Sequence, residues 1–240
     1  MNGKRFLIGI DKTSENTLFL PSSLKQDGLL HAAFGTKVVR CHVSYRQHLE
    51  QTVLLSENLF HELLLPHRSR ADILIHDHTV HIGPLIGIFT AGFSKLVTLH
   101  EQAGGYCFVF GAHQINWEEG TIEALLYREN GWEKKIVPLP NVVYDRLPNR
   151  KIEDSLLLQH TKKRLIDEYQ IPWFNKTFFN KWSVHQLLEQ DPRTAPFLPK
   201  SELTPSVERI AELCDAYKKV YIKPANGALG TGIYQLTKTD

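Results

Sequence analysis

The apolar residues of this chain come mostly in short runs, which is typical of strands. In the first third, residues 17–24 (TLFLPSSL) align without a gap with residues 52–59 (TVLLSENL), at an offset of 35 residues. The same offset places residues 37–40 (KVVR) on residues 72–75 (DILI), which indicates a 35-residue repeat. Each copy has the pattern of a strand, a polar turn or short helix, and a second strand. Two such units can bury each other's apolar faces, so we predict a small pseudo-symmetric β-barrel over residues 1–80. Chance similarity between alternating patterns is the alternative.

Two continuous apolar runs in the middle of the chain, residues 85–90 (LIGIFT) and 106–111 (YCFVFG), are typical of buried strands. Residues 94–102 between them can form a helix. A strand, helix and strand of this size predict a parallel pair joined by a right-handed crossover. Residues 121–128 and 132–137 then predict a hairpin with Asn130-Gly131 at its turn, because Asn-Gly is the preferred type I′ sequence.

Two arginines follow the next strand, residues 141–144 (NVVY). Arg146 and Arg150 would lie beyond the carboxyl end of a parallel strand, where open α/β sheets place their ligands. They are therefore candidates for holding an anionic substrate. A surface ion pair with Asp145 or Glu153 is the alternative.

The last third has helical patterns. Residues 152–169 carry apolar side chains at helical spacing, and we expect the basic stretch 162–164 to face solvent. Residues 183–186 (SVHQ) form a capping box, which predicts a helix that starts at Ser183. Lys181 would then lie just before a helix N-terminus, where the helix dipole disfavours a cation unless an anion is shared. Lys181 is therefore a candidate anion ligand.

The end of the chain, residues 220–236 (VYIKPANGALGTGIYQL), has the pattern of a strand, a glycine loop and a strand. Glycine at positions 227, 230 and 232 permits positive φ and a close approach of backbone N-H groups to a ligand. Lys223 ends the first strand and could reach the same ligand. The loop is neither a Walker A motif nor a dinucleotide fingerprint. Two interpretations stay open, a phosphate site and an ordinary hairpin with a glycine-rich tip.

Charge and composition exclude some classes of partner. The 28 basic residues nearly balance the 26 acidic ones, so the chain lacks the basic excess of a nucleic-acid-binding protein. No apolar run is long enough to cross a bilayer. We therefore expect neither a nucleic-acid nor a membrane partner, and synthesis in the cytoplasm.

Two groups of side chains invite comparison with metal sites. His76 and His78 would share one face of a strand, and with His81 they form the densest histidine cluster, but no further ligand has a spacing that points to them. We assign no metal ligand in this chain. The cysteines are too far apart for a ligand set or a disulfide framework, so we expect reduced core thiols at Cys41, Cys107 and Cys214.

Several motifs, taken in their order and spacing, resemble one family. They are residues 142–146 (VVYDR), 178–182 (FFNKW), 197–199 (FLP) and 221–224 (YIKP), with the glycine loop that follows. Through this combination, residues 83–240 resemble the spore-coat-associated ATP-grasp proteins of Bacillus-type bacteria, the YheC/YheD type. The N-terminal part resembles them more weakly.

The resemblance implies a mixed α/β fold. The predicted barrel over residues 1–80 would be followed by a pre-ATP-grasp α/β domain over 81–150 and by the first part of an ATP-grasp domain over 151–240. In that fold two lysines contact the phosphates of ATP, one at the position of Lys181 and one at the position of Lys223. The hairpin loop that closes over the phosphates matches Gly227, Gly230, Thr231 and Gly232.

The resemblance also implies a reaction. ATP-grasp enzymes activate a carboxylate as an acyl-phosphate, which an amine or a thiol then attacks, so ATP, Mg²⁺ and a small carboxylate substrate are the implied ligands. The sequence departs from the family in one respect, since the carboxylates and asparagine that hold Mg²⁺ are expected beyond Asp240. Without that metal the transferred phosphoryl group lacks its usual counter-charge. We therefore expect this chain to be a fragment that is inactive alone; a natural truncation is the alternative.

Two hypotheses of different classes follow. In the first, the chain carries part of the nucleotide site of a ligase-like enzyme connected with sporulation. In the second, it is a non-catalytic component of the spore coat that docks a partner protein. The sequence assigns no catalytic residue.

Overall fold

The computed structural model has many short strands and few helices, and the predicted mixed α/β class is confirmed. Its contacts divide the chain into two compact units, residues 1–177 and residues 178–240. The three-domain division expected from the sequence stays a prediction. The residues that the structure describes are 5–13, 15–91, 106–128, 131–203, 205–227 and 230–237.

Eight strands of the first unit form one sheet in the order β4-β3-β8-β7-β1-β6-β2-β5. A short helix, α1 (Glu57–Glu62), follows β6. The strands are β1 (Arg5–Asp11), β2 (Thr17–Pro21), β3 (His31–Phe34), β4 (Lys37–Arg40), β5 (His42–Arg46), β6 (Thr52–Ser56), β7 (Arg70–His76) and β8 (Thr79–Gly83).

The segments of the 35-residue repeat have equivalent secondary structure. β2 and β6 are the aligned strands, and a 3-10 turn (Ser22–Leu24) follows the first as α1 follows the second. The edge strands β4 and β5 are separated by Cys41 alone, so the two edges come within about 8 Å there. Laid flat, eight strands would hold their edges about 34 Å apart. The sheet therefore curls strongly on itself, as a barrel requires, and the closed barrel stays a prediction.

The second sheet of this unit has the order β11-β12-β10-β9-β14-β15, with β13 paired to β12. Two helices, α2 (Arg150–Glu153) and α3 (Leu156–Asp167), lie between β14 and β15. The strands are β9 (Leu85–Phe89), β10 (Tyr106–Phe110), β11 (Ile115–Asn116), β12 (Thr121–Arg128), β13 (Gly131–Pro138), β14 (Val142–Asp145) and β15 (Trp173–Phe174).

The predicted strand pairings of this sheet are confirmed. β9 is parallel to both β10 and β14, and β12 and β13 form an antiparallel hairpin. The place of Gly131 in the hairpin was predicted wrongly, because it pairs with Arg128 as the first residue of β13 rather than lying at the turn. The predicted helix over residues 94–102 lies outside the described residues.

The two sheets share one continuous hydrophobic core. The rings of Phe34 and Tyr106 cross the boundary with their centroids 4.8 Å apart. At the β3–β4 turn, Gly35 has a φ of +58°, and the N-H of Thr36 donates to the carbonyl of Leu139 at 2.9 Å. A Cβ on Gly35 would lie 2.4 Å from that carbonyl oxygen. Glycine is therefore required where the first sheet meets the second.

Cys41 is buried in this core and Cys107 in a smaller cluster with Ile88 and Val109, as predicted, whereas Cys214 is only half-buried and the expected core position is wrong for it. Burial raises the pKa of the Cys41 and Cys107 thiols to about 11. Both thiols are therefore protonated and unreactive at neutral pH.

The expectation that residues 162–164 face solvent is wrong for Lys162, which is only 8% exposed. The helical repeat places Lys162 on the same side of α3 as Leu158 and Leu165. Its ammonium contacts the Asp145 carboxylate at 2.8 Å and the Glu153 carboxylate at 3.4 Å.

The N-terminus of α3 also differs from the prediction, because the helix expected over residues 152–169 is broken at residues 154–155.

Asp145 and Lys162 connect four elements. Asp145 also accepts hydrogen bonds from the Trp173 indole at 3.1 Å and from the Leu147 backbone at 3.0 Å, and Lys162 donates to the carbonyl of Lys176. We call Lys162, Asp145 and Glu153 the buried charge cluster. It ties the end of β14 to α2, α3 and β15. Asp145 is therefore not available for the surface ion pair considered for the arginines.

The second unit contains two helices, α4 (Lys181–Glu189) and α5 (Val207–Ala216), a 3-10 turn (Ala195–Phe197) and a two-stranded sheet. Its strands are β16 (Val220–Ile222) and β17 (Tyr234–Leu236). Neither helix has a fully buried residue. Across the described part of the chain, no helix has the length and apolar composition needed to span a membrane.

Gly35→Ala should destabilise the first unit more than Gly120→Ala. Both glycines have positive φ, but a Cβ on Gly120 meets no atom within 4 Å. We expect Gly120→Ala to cost about 1–2 kcal/mol in the free energy of unfolding, from backbone conformation alone. Gly35→Ala should cost about 1–3 kcal/mol more, because the Leu139 carbonyl must move. Urea denaturation measures both, and equal losses would contradict the close contact.

Lys162→Met should lower the free energy of unfolding by about 3–5 kcal/mol, because it leaves buried carboxylates without their cation. Lys163→Met is the matched control, since Lys163 is the next residue of α3 and is exposed. We expect the control to change stability by less than about 0.5 kcal/mol. Similar losses in the two variants would show that the buried charge cluster is unimportant.

Candidate functional site

The end of the chain forms the strand, loop and strand that its sequence predicts. β16 and β17 are antiparallel, with Tyr221 opposite Gln235. The loop between them, residues 223–233, begins with Lys223. The ammonium of Lys223 lies 5.6 Å from the centre of the Tyr221 ring. Its side chain has no acidic partner within the described residues.

The three loop glycines are required for two different reasons. Gly230 and Gly232 have φ values of +75° and +72°, as predicted. Gly227 does not have positive φ, so that part of the prediction is wrong. A Cβ on Gly227 would instead lie 2.6 Å from Cγ of Pro224. Gly227 thus permits a tight turn against a proline ring, and its N-H donates to the Pro224 carbonyl at 3.2 Å.

Helix α4 begins at Lys181, two residues before the predicted start at Ser183. The carboxamide oxygen of Asn180 accepts hydrogen bonds from the N-H groups of Trp182 at 2.9 Å and Ser183 at 3.0 Å. Asparagine caps helices as well as serine does. The capping-box prediction failed because Asn180 caps the helix three residues earlier, so Ser183 is already inside the first turn.

Lys181 lies against the glycine loop. Its ammonium donates to the carbonyl of Pro224 at 3.1 Å and to the carbonyl of Gly227, and its backbone N-H donates to Ala225 at 2.9 Å. The Asn180 side chain donates to the Asn226 side chain at 2.7 Å. Four interactions therefore hold the start of α4 on the loop. The carbonyl contacts also offset the cost of a cation at a helix N-terminus.

The structure thus brings Lys181 against the glycine loop, which begins more than 40 residues later in the sequence. The predicted site residues of that loop are Lys223, Gly227, Gly230, Thr231 and Gly232. Asn180, Pro224 and Asn226 lie within the predicted motifs, but the sequence analysis gave them no role. An asparagine directly before a helix is the one sequence signal that could have indicated Asn180.

Arg146 and Arg150 belong to the other compact unit. Arg146 directly follows the parallel strand β14, as predicted, and is exposed; its guanidinium carbon lies 5.8 Å from the centre of the Tyr144 ring. Arg150 is the first residue of α2 and is half-buried. Their role in holding a substrate stays a prediction.

The histidine cluster does not have the predicted arrangement. Asp77 and His78 have φ values of +44° and +60°, and they form the turn between β7 and β8. His76 and His78 therefore do not share a strand face. In the part of the chain that the structure describes, no three His, Cys, Asp or Glu side chains converge on a possible metal position.

Comparison with known proteins agrees with the motifs. Residues 170–240 match the family model of YheC/D like ATP-grasp proteins. The chain is 89% identical to the Endospore coat-associated protein YheD of Bacillus subtilis (strain 168), in an alignment that covers 100% of this chain and 56% of that protein. The chain thus spans just over half the length of this relative. No solved structure shows significant similarity to the chain.

The matched segment contains α4, the glycine loop and both candidate lysines. Residues 170–240 therefore match the YheC/D-like ATP-grasp family, and the resemblance indicated by the sequence motifs is confirmed.

Proposed function

We propose that Lys181, Lys223 and the loop residues Gly227, Gly230, Thr231 and Gly232 bind the phosphate groups of ATP. ATP-grasp proteins generally use ATP and Mg²⁺. The observation that carries the proposal is the contact between the Lys181 ammonium and the carbonyls of Pro224 and Gly227. It joins two motifs that the sequence had linked to an anion independently.

The charge around the loop supports an anionic ligand. Residues 176–188 and residues 217–237 contain no aspartate or glutamate. The N-terminus of α4 adds the positive end of a helix dipole beside Lys181. An anion at the loop would therefore meet positive charge without a nearby carboxylate from either segment.

The hydrogen bonds of Lys181 leave room for a ligand. A lysine ammonium has three donors, and two are used by the loop carbonyls. The third can donate to a phosphate oxygen while the loop stays in place. Lys223 is exposed and can approach the same anion from the start of the loop. In this proposal Lys181 both orders the loop and contacts the nucleotide.

Mg²⁺ does not fit the described residues of this region. The ion prefers carboxylate oxygens, and neither segment that forms the loop and helix start carries one. We therefore derive no step through the metal. For the whole protein we propose the ATP-grasp reaction, in which a carboxylate is activated as an acyl-phosphate and then attacked by an amine or a thiol.

The name of the Bacillus subtilis relative, an endospore coat-associated protein, bears on where this protein is located. Because the chain is 89% identical to that relative over its whole length, we propose that this protein is also associated with the spore coat. A purely non-catalytic coat role would appear in the experiments below as an absence of nucleotide binding.

Lys223→Met should lower the affinity of the complete gene product for ATP by about tenfold or more, because a charge-assisted contact to phosphate is lost. Lys181→Met should lower the affinity at least as much, and should also loosen the loop. Isothermal calorimetry measures the affinity, and hydrogen exchange of the loop amides reports on loop order. We expect faster exchange in the Lys181 variant only.

Lys219→Met is the matched control for both substitutions, because Lys219 is an exposed lysine near β16. It should leave ATP affinity within about twofold of the parent value. Unchanged affinity in the Lys181 and Lys223 variants, or no ATP binding by the parent, would refute the proposed function.

Gly227→Ala should open the loop through contact with Pro224, whereas Gly230→Ala should act through its backbone conformation alone. Adding Pro224→Ala should therefore rescue the loop order of Gly227→Ala but not of Gly230→Ala. Hydrogen exchange at the Lys181 amide, which is bonded to Ala225, provides the measurement. If Pro224→Ala rescues neither variant, contact with the proline ring is not the reason why position 227 requires glycine.

A further inference from the structure

The first unit contains a cleft of about 920 Å³ at the carboxyl edge of its second sheet. Thr90 and Ala91, which follow β9, form part of its wall, together with residues 111–114, which follow β10. Residues from Asn149 to Leu158, which come after β14, complete that side. The β12–β13 hairpin contributes Glu123, Leu125 and Lys134 to the lining.

The position of this cleft in the topology is significant. The chain passes from β9 to β10 on one side, and β14 pairs with the other side of β9. All three strands are parallel, so the strand order reverses at β9. In open α/β sheets, ligands bind outside the carboxyl ends of the strands where the order reverses. The cleft lies at that place.

Much of the polar lining is already satisfied within the protein. Gln114 accepts a hydrogen bond from the Gly111 backbone at 2.8 Å and donates to the Glu123 carbonyl at 2.7 Å. Lys134 forms an ion pair with the Glu123 side chain at 2.8 Å. Asn149 accepts from the backbone of Ile152 at 3.0 Å. These groups shape the cleft without attracting a ligand charge.

Three polar lining side chains have no partner in the described part of the chain, namely Lys151, His113 and Ser155. Ser155 is the N-cap residue of α3, but its hydroxyl does not cap the helix. Among the lining residues that the structure describes, the unbalanced charge is therefore the Lys151 ammonium. Its remaining surface is largely apolar, and is formed by Ala91, Ala112, Leu125, Ile152, Leu157 and Leu158.

We propose that this cleft binds a small organic carboxylate with an apolar body. Lys151 would pair with the carboxylate, and Ser155 would donate to it. The apolar walls would cover the rest of the ligand. Among the described lining residues, one unpaired cation matches one negative charge. The site belongs to the first compact unit and does not depend on the proposed nucleotide site.

Benzoate and hexanoate are suitable probes, with benzamide and hexanamide as neutral controls of the same shape. Each is titrated into the chain, and binding is followed by NMR shifts of the Ala91 and Ala112 methyl groups. We expect saturable binding of the carboxylates that is about tenfold or more tighter than that of the amides. Absence of saturation, or equal affinity for acid and amide, would overturn the proposal.

Substitutions test the assigned walls. Lys151→Met should lower carboxylate affinity about tenfold or more and leave amide affinity unchanged, since only the charge is removed. Lys163→Met, on α3 but outside the cleft lining, should have no effect on either probe. Ala91→Trp replaces an exposed residue at the rim and should abolish binding of both probes. Binding that persists unchanged in Lys151→Met and Ala91→Trp would place the probes elsewhere and refute the site.

The two sites can fail separately. Lys223→Met should leave the carboxylate titration unchanged, and Lys151→Met should leave ATP affinity unchanged. Loss of carboxylate binding in Lys223→Met would show that the probe binds at the glycine loop, which would overturn the cleft assignment.

Discussion

The ion pair between Lys162 and Asp145 is the interaction on which the carboxyl edge of the second sheet depends. Burying a lysine and two carboxylates is costly unless the charges meet in good geometry. Here Lys162 on α3 contacts carboxylates from β14 and α2, and the indole of Trp173 on β15 donates a further hydrogen bond to Asp145. These bonds fix the helices that form one side of the cleft. The position of the cleft therefore follows from a charge cluster outside its lining.

Lys181 has a different relation to its surroundings. It is exposed, and it contacts backbone carbonyls rather than carboxylates. Carbonyl dipoles hold an ammonium without cancelling its charge, so Lys181 can order the loop and still attract an anion. A carboxylate in the same place would have removed that attraction. The absence of acidic residues from both neighbouring segments is thus a physical requirement for the proposed nucleotide site.

Local patterns predicted the strands well because alternation and apolar runs reflect burial directly. β9, β10, β12 and β14 were predicted with their pairing directions, and the final strand, loop and strand were also found. Helix starts were predicted less well. Asn180 and Ser183 are both good caps, and a sequence pattern does not decide which of two caps three residues apart begins the helix. The structure selects Asn180, whose side chain also bonds to Asn226.

The sequence alone determined the mixed α/β class, the glycine loop with its two candidate lysines, and the resemblance of residues 170–240 to the YheC/D-like ATP-grasp family. These depend on residue type and spacing, which the chain carries locally. Only the structure decided that Lys162 is buried, that Gly227 lies against the ring of Pro224, and that Asp77 and His78 form a turn. It also decided that a cleft opens where the strand order reverses at β9. The burial of Lys162 and the cleft depend on distant residues coming within a few ångströms, which spacing along the chain does not encode. The turn at Asp77 and His78 and the contact of Gly227 with Pro224 depend on local backbone angles, which residue type alone does not fix.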